Sequence, residues 1–299
     1  MLYNLFEVIA GLVLLIWGAD RFVHGAAGGA RRLGVAPLLI GLTIVALATS
    51  APEILVSAVA SLRGEPGLAF GNAIGSNIVN IGLVLGATAL IKPIELRSAT
   101  LRREMPALLA VSLLTVSLFL DTFLTRVDGL VMLSGLVIVM IWLTRLGLHS
   151  EGDDPLIEDY DAEIPKHMKL SWAAFWLVLG LGFVLWGADL LVDGSIEIAR
   201  TIGVSEVVIG VTLVALGTSL PELAVSIVSI IKGEHGLAIG NIVGSNIFNL
   251  LAVIGVAAAI EPSAVEPSVL AVHIFVMVAF TLVLFAMTYD YDGKSDLSR

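Results

Sequence analysis

Long apolar segments follow one another along almost the whole chain, and short stretches of charged residues, proline and glycine separate them. Each segment approaches the roughly 20 apolar residues that an α-helix needs to cross the hydrocarbon core of a bilayer. The pattern predicts an all-α polytopic membrane protein with nine spans, at residues 4–30, 36–62, 67–91, 104–121, 127–148, 170–199, 205–231, 236–260 and 268–288.

The two halves of the chain are copies of one another. Residues 12–93 align with residues 181–262 without a gap, and 41 of the 82 aligned positions are identical. Five predicted spans precede the second copy. Because five is an odd number, the second copy enters the membrane from the opposite side. The sequence therefore predicts two inverted-topology repeats of about five helices each, which is an architecture of secondary transporters.

The repeat and the linker between its copies divide the chain into three segments. Residues 1–149 form the first repeat, with five spans, residues 150–168 form an acidic linker, and residues 169–299 form the second repeat, with four spans. The second repeat has no counterpart of span 127–148, so we expect that the chain is truncated before a tenth span or that this span is dispensable. If the natural gene continues past Arg299, we expect an apolar run of about 20 residues there.

Composition and charge narrow the class of protein. The chain is 58% hydrophobic and 14% charged, with a mean hydropathy of +0.99, which excludes a soluble domain. The absence of cysteine excludes disulfides and thiolate metal sites. With the N-terminus outside, twelve Lys and Arg residues fall in inside loops and three fall in outside loops. We therefore expect a multi-pass protein of the cell (plasma) inner membrane, with the linker 150–168 in the cytoplasm.

Two related stretches place a proline and a carboxylate inside apolar spans: "ALATSAPEIL" at 46–55 and "ALGTSLPELA" at 215–224. Pro52 and Pro221 lack the N–H that would continue the helical ladder, and the residue before each proline, Ala51 or Leu220, is disfavoured in helical geometry. We expect the second and seventh spans to break at mid-membrane and to leave backbone carbonyls at 46–49 and 215–218 unpaired. In lipid such carbonyls need another partner, which a bound cation supplies.

Oxygen-bearing side chains surround both breaks and recur on the following span at helical spacing. The candidates are Thr49, Ser50, Glu53, Ser76 and Asn80 in the first repeat, and Thr218, Ser219, Glu222, Ser245 and Asn249 in the second. Oxygen ligands without sulfur or histidine favour Ca²⁺ and Na⁺ over zinc or copper. A buried carboxylate costs on the order of 3 kcal/mol in a membrane, so two at equivalent positions indicate a function.

Other polar residues of the spans fit a structural role better. Asn72, Asn241, Ser57 and Ser226 are typical of hydrogen bonds that join helices. Asp20 and Asp189 lie toward the ends of their spans, where we expect ion pairs, with Arg21 as the partner of Asp20.

The paired motifs "ALATSAPE…GNAIGSNIVN" and "ALGTSLPE…GNIVGSNIFN" resemble the two alpha-repeats of the cation/Ca²⁺ antiporter superfamily, in its sodium/calcium exchanger branch of prokaryotic type. The resemblance covers about 82 residues in each half. It implies ten spans, breaks in spans two and seven, a central cluster of cation sites, and alternating access in which the first and sixth spans slide as a pair.

The resemblance also implies roles for individual residues. Glu53 and Glu222 would be carboxylates shared by Ca²⁺ and Na⁺, and Asn80 and Asn249 would occupy the middle position. The carbonyls of Ala46 and Ala215 would help at the two end sites. The remaining Na⁺ ligands would be Thr49, Ser50, Ser76, Thr218, Ser219 and Ser245. K⁺-dependent relatives carry aspartate at the position of Asn249.

We therefore expect an antiporter that exchanges Ca²⁺ for Na⁺ in a lipid bilayer. We expect no enzymatic activity, no cofactor beyond the transported ions and no nucleic-acid partner. A Ca²⁺/H⁺ exchanger on the same scaffold is the main alternative, and a passive cation channel is a further one. An intramembrane hydrolase would need a base beside a nucleophile, and no His or Lys lies near these Ser and Thr residues in the sequence.

Overall fold

A computed structural model gives the fold of this chain. It describes residues 2–35, 40, 46–95, 99–148, 164–165, 168–288 and 296–297. These residues are mostly helical, which confirms the coarse class predicted from the apolar pattern. The predicted linker 150–168 lies outside the described residues except at 164–165 and 168.

The described residues of the first half include helices, a π-helical segment and short strands. They are α1 (Leu2–Arg32), α2 (Ala46–Thr49), α3 (Ala51–Leu62), α4 (Pro66–Val79), π1 (Asn80–Leu85), α5 (Gly86–Ile91), β1 (Ile94–Glu95), α6 (Ala99–Phe119), β2 (Phe123–Leu124) and α7 (Arg126–Leu148).

The second half repeats this order from α8 onward. It contains α8 (Leu170–Ile202), α9 (Glu206–Ile209), π2 (Gly210–Val214), α10 (Ala215–Thr218), α11 (Leu220–Lys232), α12 (His235–Phe248), π3 (Asn249–Val253), α13 (Ile254–Ile260), β3 (Ser263–Ala264), π4 (Val269–Ile274), α14 (Phe275–Thr288) and β4 (Asp296–Leu297). The strands form two antiparallel pairs, β1 with β4 and β2 with β3.

Seven helical segments of the described chain are long and apolar enough to cross a membrane. Two further predicted spans coincide with shorter apolar helices, Ala51–Leu62 and Glu104–Phe119. Of the predicted span 36–62, residues 36–39 and 41–45 lie outside the described part of the chain.

Helices α1 and α8 pack against each other in antiparallel directions through glycines. Gly11 lies against Gly187, and Gly18 lies against Gly180, so residue numbers rise along one helix as they fall along the other. A Cβ atom built on Gly187 would lie 2.7 Å from the carbonyl oxygen of Gly11, which leaves no room for a side chain. Small residues at such interfaces let membrane helices approach closely.

A second close crossing joins the two halves of the chain. Gly71 of α4 and Gly210 at the start of π2 face each other, and an added Cβ on either would lie within 3.1 Å of the Cα of the other. The crossing brings α4 of the first half against the helix that leads to the second proline. The chemistry-bearing stretches of the two halves are therefore neighbours.

Candidate functional site

Both proline-containing helices are interrupted at a serine. Ser50 separates α2 from α3 with φ −83° and ψ 3°, and Ser219 separates α10 from α11 with φ −82° and ψ 2°. We predicted the non-helical residue at Ala51 and Leu220, and that was wrong by one position, because both residues begin the following helix. A proline fits within the first helical turn, where its missing N–H has no intrahelical acceptor, so the helix starts one residue before it.

Glu53 and Glu222 each lie in the first turn of the helix that resumes after the break. Both residues are fully buried. The N-terminus of a helix carries a partial positive charge from its free N–H groups, which favours a carboxylate there. Asn72 donates to the Glu53 carbonyl and accepts from Thr218 Oγ1, so the two proline-containing stretches lie next to each other.

Buried oxygen atoms without a hydrogen-bond partner are concentrated in this site. Within the described part of the chain, eight such atoms belong to predicted site residues: Ser50 Oγ, Glu53 Oε1 and Oε2, Ser76 Oγ, Asn80 Oδ1, Ser219 Oγ, Glu222 Oε2 and Asn249 Oδ1. A buried polar atom left without a partner costs about 1–3 kcal/mol. All eight atoms are hard oxygen ligands, so the cluster fits a bound Na⁺ or Ca²⁺.

The amide side chains that follow the serines connect the two halves. Asn80 Nδ2 donates to Asn246 Oδ1 at 3.1 Å, and Asn249 Nδ2 donates to Asn77 Oδ1 at 3.4 Å. Asn77 and Asn246 were not among the ligands predicted from the sequence. Their signal is the "SN--N" spacing, which puts them one turn from the candidate Asn80 and Asn249 on the same side of the helix.

A further network surrounds Asn72. Its Nδ2 donates to Ser57 Oγ at 3.1 Å and to the Glu53 carbonyl at 3.3 Å, while its Oδ1 accepts from Thr218 Oγ1 at 3.1 Å. Asn72 and Ser57 therefore join helices, as predicted.

The equivalent atoms of the second half behave differently. Asn241 Nδ2 and Ser226 Oγ are buried without a hydrogen-bond partner among the described residues. In that half the glutamate side chain accepts a hydrogen bond, which Ser245 Oγ donates to Glu222 Oε1 at 3.2 Å. The two halves thus share residues but differ in hydrogen bonding.

The structure buries every predicted side-chain ligand. All are at most 4% exposed: Thr49, Ser50, Glu53, Ser76, Asn80, Thr218, Ser219, Glu222, Ser245 and Asn249. The carbonyl of Ala215 is not left unpaired as we expected, because it accepts from the Ser219 N–H at 3.1 Å. A carbonyl oxygen has a second lone pair that remains available to a cation. Ala46 begins α2, and its side chain lies outside the described residues.

Charged residues outside this site form ion pairs. Asp20 pairs with Arg21 at 3.4 Å, which confirms that prediction, and Asp189 pairs with Arg63. Near the loop between α3 and α4, Glu65 pairs with Arg200 at 3.2 Å. Partial burial and the neighbouring Glu206 carboxylate raise the pKa of Glu65 above its usual value, and Arg200 offsets part of this rise.

The similarity to known proteins extends over both halves of the chain. The sequence matches the sodium/calcium exchanger protein family over residues 4–145 and 172–297. It is 50% identical to the putative antiporter CaxA of Alkalimonas amylolytica over 262 residues, covering 88% of this chain and 82% of the relative. It is 31% identical to the sodium/calcium exchanger MaX1 of Methanosarcina acetivorans over 295 residues, covering 87% and 83%.

The fold has a solved counterpart. The sodium-calcium exchanger NCX_Mj soaked with 10 mM Na⁺ and 10 mM Sr²⁺ superimposes with a TM-score of 0.68 at 35% identity, covering 100% of this chain and 93% of that one. These matches confirm the prediction of a membrane antiporter for Na⁺ and Ca²⁺ and do not favour the Ca²⁺/H⁺ alternative. This chain belongs to the sodium/calcium exchanger family.

Proposed function

We propose that Na⁺ and Ca²⁺ compete for the cluster of oxygen atoms around Glu53 and Glu222, and that their exchange occurs by alternating access at this one site. The observation that carries the proposal is that eight buried oxygen atoms of the predicted ligands have no hydrogen-bond partner among the described residues. Bound cations would supply a partner for these buried oxygen atoms, which would otherwise be costly to bury.

The fixed charge of the cluster explains why the two ions would exclude each other. Glu53 and Glu222 together contribute two negative charges when ionised, which balance one Ca²⁺. Adding Na⁺ beside a bound Ca²⁺ would leave excess positive charge in a medium of low dielectric constant, where repulsion between like charges is strong. Na⁺ binding would therefore expel Ca²⁺, and that competition is the basis of coupled exchange.

We propose that the two halves are inverted repeats that meet at this site, with the breaks at Ser50 and Ser219 near the middle of the membrane. The antiparallel packing of α1 on α8 supports opposite insertion, since these are equivalent helices of the two copies. The excess of Lys and Arg in alternate loops supports an N-terminus outside, a cytoplasmic linker at 150–168 and nine spans in the cell (plasma) inner membrane.

The unequal hydrogen bonding of the halves supports alternating access. Asn72 is bonded to Ser57, while the equivalent Asn241 and Ser226 each have an atom without a partner in the described part of the chain. In an inverted repeat, exchange of these two arrangements between the halves reverses the side of the membrane from which the site is reached.

The test is uptake of ⁴⁵Ca²⁺ into proteoliposomes under Na⁺, K⁺ and pH gradients imposed one at a time. We expect an outward Na⁺ gradient to drive Ca²⁺ uphill, which a passive channel does not permit. Glu53→Gln and Glu222→Gln keep the side-chain shape and remove one charge each, so we expect both to abolish this uptake while the protein still folds.

A matched control is Glu266→Gln. This carboxylate is outside the spanning helices, where its Oε1 accepts from Ser268 Oγ at 2.6 Å, so its substitution is expected to leave uptake close to wild type. Near-normal Na⁺-driven uptake in either Glu53→Gln or Glu222→Gln would contradict the site. Uptake driven by a pH gradient alone would favour the Ca²⁺/H⁺ alternative.

A further inference from the structure

Four buried asparagines form two amide pairs, and each pair joins one half of the chain to the other. Asn80 donates to Asn246 at 3.1 Å, and Asn249 donates to Asn77 at 3.4 Å. All four side chains are at most 1% exposed. The aligned positions are Asn77 with Asn246 and Asn80 with Asn249, so the two pairs are equivalent contacts made in opposite directions.

The direction of donation determines what each amide presents to the site. An amide group has its NH₂ donors and its carbonyl acceptor at opposite corners of one plane. When the NH₂ of Asn80 is held by Asn246, its Oδ1 faces away from that partner, and this Oδ1 has no hydrogen-bond partner among the described residues. The same holds for Asn249 Oδ1.

Without a fixed partner, the amide plane would rotate between two orientations, because the terminal torsion of asparagine is broad and roughly two-fold. One of those orientations would turn the NH₂ group toward a cation and repel it. Of the two acceptor residues, Asn77 is held on one side, since its Nδ2 lies 3.7 Å from Met277 Sδ and its Oδ1 is thereby left to Asn249. Asn246 Nδ2 has no hydrogen-bond partner among the described residues.

We propose that Asn246 and Asn77 are positioning residues that orient the carbonyl oxygens of Asn80 and Asn249 toward the transported cation. The inference rests on the proposed function of the central site. Each half supplies a middle ligand, and the opposite half supplies the acceptor that orients it. The middle ligands are therefore oriented only while the two halves are docked.

The test is a double-mutant cycle read out as the Ca²⁺ concentration that half-saturates Na⁺-driven ⁴⁵Ca²⁺ uptake. Loss of a group that orients a metal ligand typically lowers metal affinity by 10- to 100-fold, so we expect Asn246→Ala to raise half-saturation about tenfold. Because Asn246 acts through Asn80, that factor should disappear when Asn246→Ala is added to Asn80→Ala. It should persist when Asn246→Ala is added to Asn249→Ala.

The pair of Asn77 and Asn249 allows the same test with the roles of the two halves exchanged. The effect of Asn77→Ala should disappear in the Asn249→Ala background and persist in the Asn80→Ala background. A residue that merely fills space between helices would give the same factor in both backgrounds, so that result would overturn the inference. An unchanged half-saturation in Asn246→Ala would overturn it too.

Failure of the central site itself has a different signature. If the single substitutions Asn80→Ala and Asn249→Ala leave Ca²⁺ half-saturation unchanged, the middle ligands are wrong, and the positioning inference fails with them. If Asn246→Ala does not fold, Asn246→Gln and Asn246→Leu replace it. Gln keeps a neutral amide acceptor for Asn80 and should retain affinity, whereas Leu should lose about tenfold. Equal affinity in the two variants would refute the role of the acceptor.

Discussion

The close packing of α1 on α8 can be tested by substituting glycines with alanine. Two positions in α8 separate the cost of disturbing a close helix contact from the gain in helix propensity. Gly187 and Gly182 lie five residues apart in α8. A Cβ atom on Gly187 would lie 2.7 Å from both the Gly11 carbonyl oxygen and the Leu15 amide nitrogen, whereas a Cβ atom on Gly182 would have no atom of the described residues within 4 Å. Substitution of each by alanine adds the same methyl group in two different surroundings.

The magnitudes follow from these distances. An ordinary contact of about 3.5 Å requires the two backbones at Gly187 to separate by about 0.8 Å. Overpacking of this kind typically costs about 1–3 kcal/mol. Replacing glycine by alanine inside a helix gains about 1 kcal/mol at either position. We therefore expect Gly182→Ala to be neutral or stabilising, and Gly187→Ala to be less stable than Gly182→Ala by about 1–3 kcal/mol.

The assay is thermal unfolding of the purified protein in one detergent, followed by Na⁺-driven Ca²⁺ uptake of the same two variants. A difference of 1 kcal/mol corresponds to about 2–4 °C in a protein of this size class, so the two midpoints should differ by at least about 2 °C. If Gly187→Ala unfolds at the same temperature as Gly182→Ala or higher, the close approach of α1 and α8 is wrong.

Two further outcomes follow from charge. Asn249 adds no charge to the pair of glutamates, so we expect Ca²⁺ uptake to persist when K⁺ is replaced by choline. Asn249→Asp adds a negative charge, and we expect that variant to require K⁺. Loss of most wild-type uptake in choline would contradict the K⁺ independence of the wild type. The raised pKa of Glu65 means that stability falls as pH rises from the usual glutamate range through the raised value, since the unfolded chain ionises first. Glu206→Gln removes the like charge beside Glu65, so the thermal midpoint of this variant should fall less steeply across that pH range than the wild-type midpoint. An equal slope would contradict the effect of Glu206 on the pKa of Glu65.

The parts of the site that the sequence predicts are those that depend on neighbours in the chain. Pro52 and Glu53 are adjacent, so a helix break beside a carboxylate follows from local geometry alone. The exact position of the break did not follow, because it depends on where the next helix begins. Ser50 occupies that position, and its carbonyl accepts from the Ile54 N–H at 3.1 Å as the first bond of α3.

Contacts between distant residues could not be predicted in the same way. The bond between Asn249 and Asn77 spans 172 positions, and it requires the register between the two halves to be known. The repeat fixes which residues are equivalent but not which of them touch. For the same reason, the glycines of α1 and α8 were visible in the sequence, but their contact became evident only once the antiparallel register was known.

The arrangement of proline before glutamate explains how the chain can place a carboxylate in a membrane without losing the helix around it. At the start of a helix the first N–H groups have no intrahelical acceptor, so proline there removes no hydrogen bond. The N–H groups that remain free attract the carboxylate of Glu53 or Glu222 that follows it. The dipeptide therefore interrupts one helix and begins the next with a negative charge. Because this happens once in each half, and the halves meet at Gly71 and Gly210, both helix starts lie in the neighbouring stretches that we propose as the cation site.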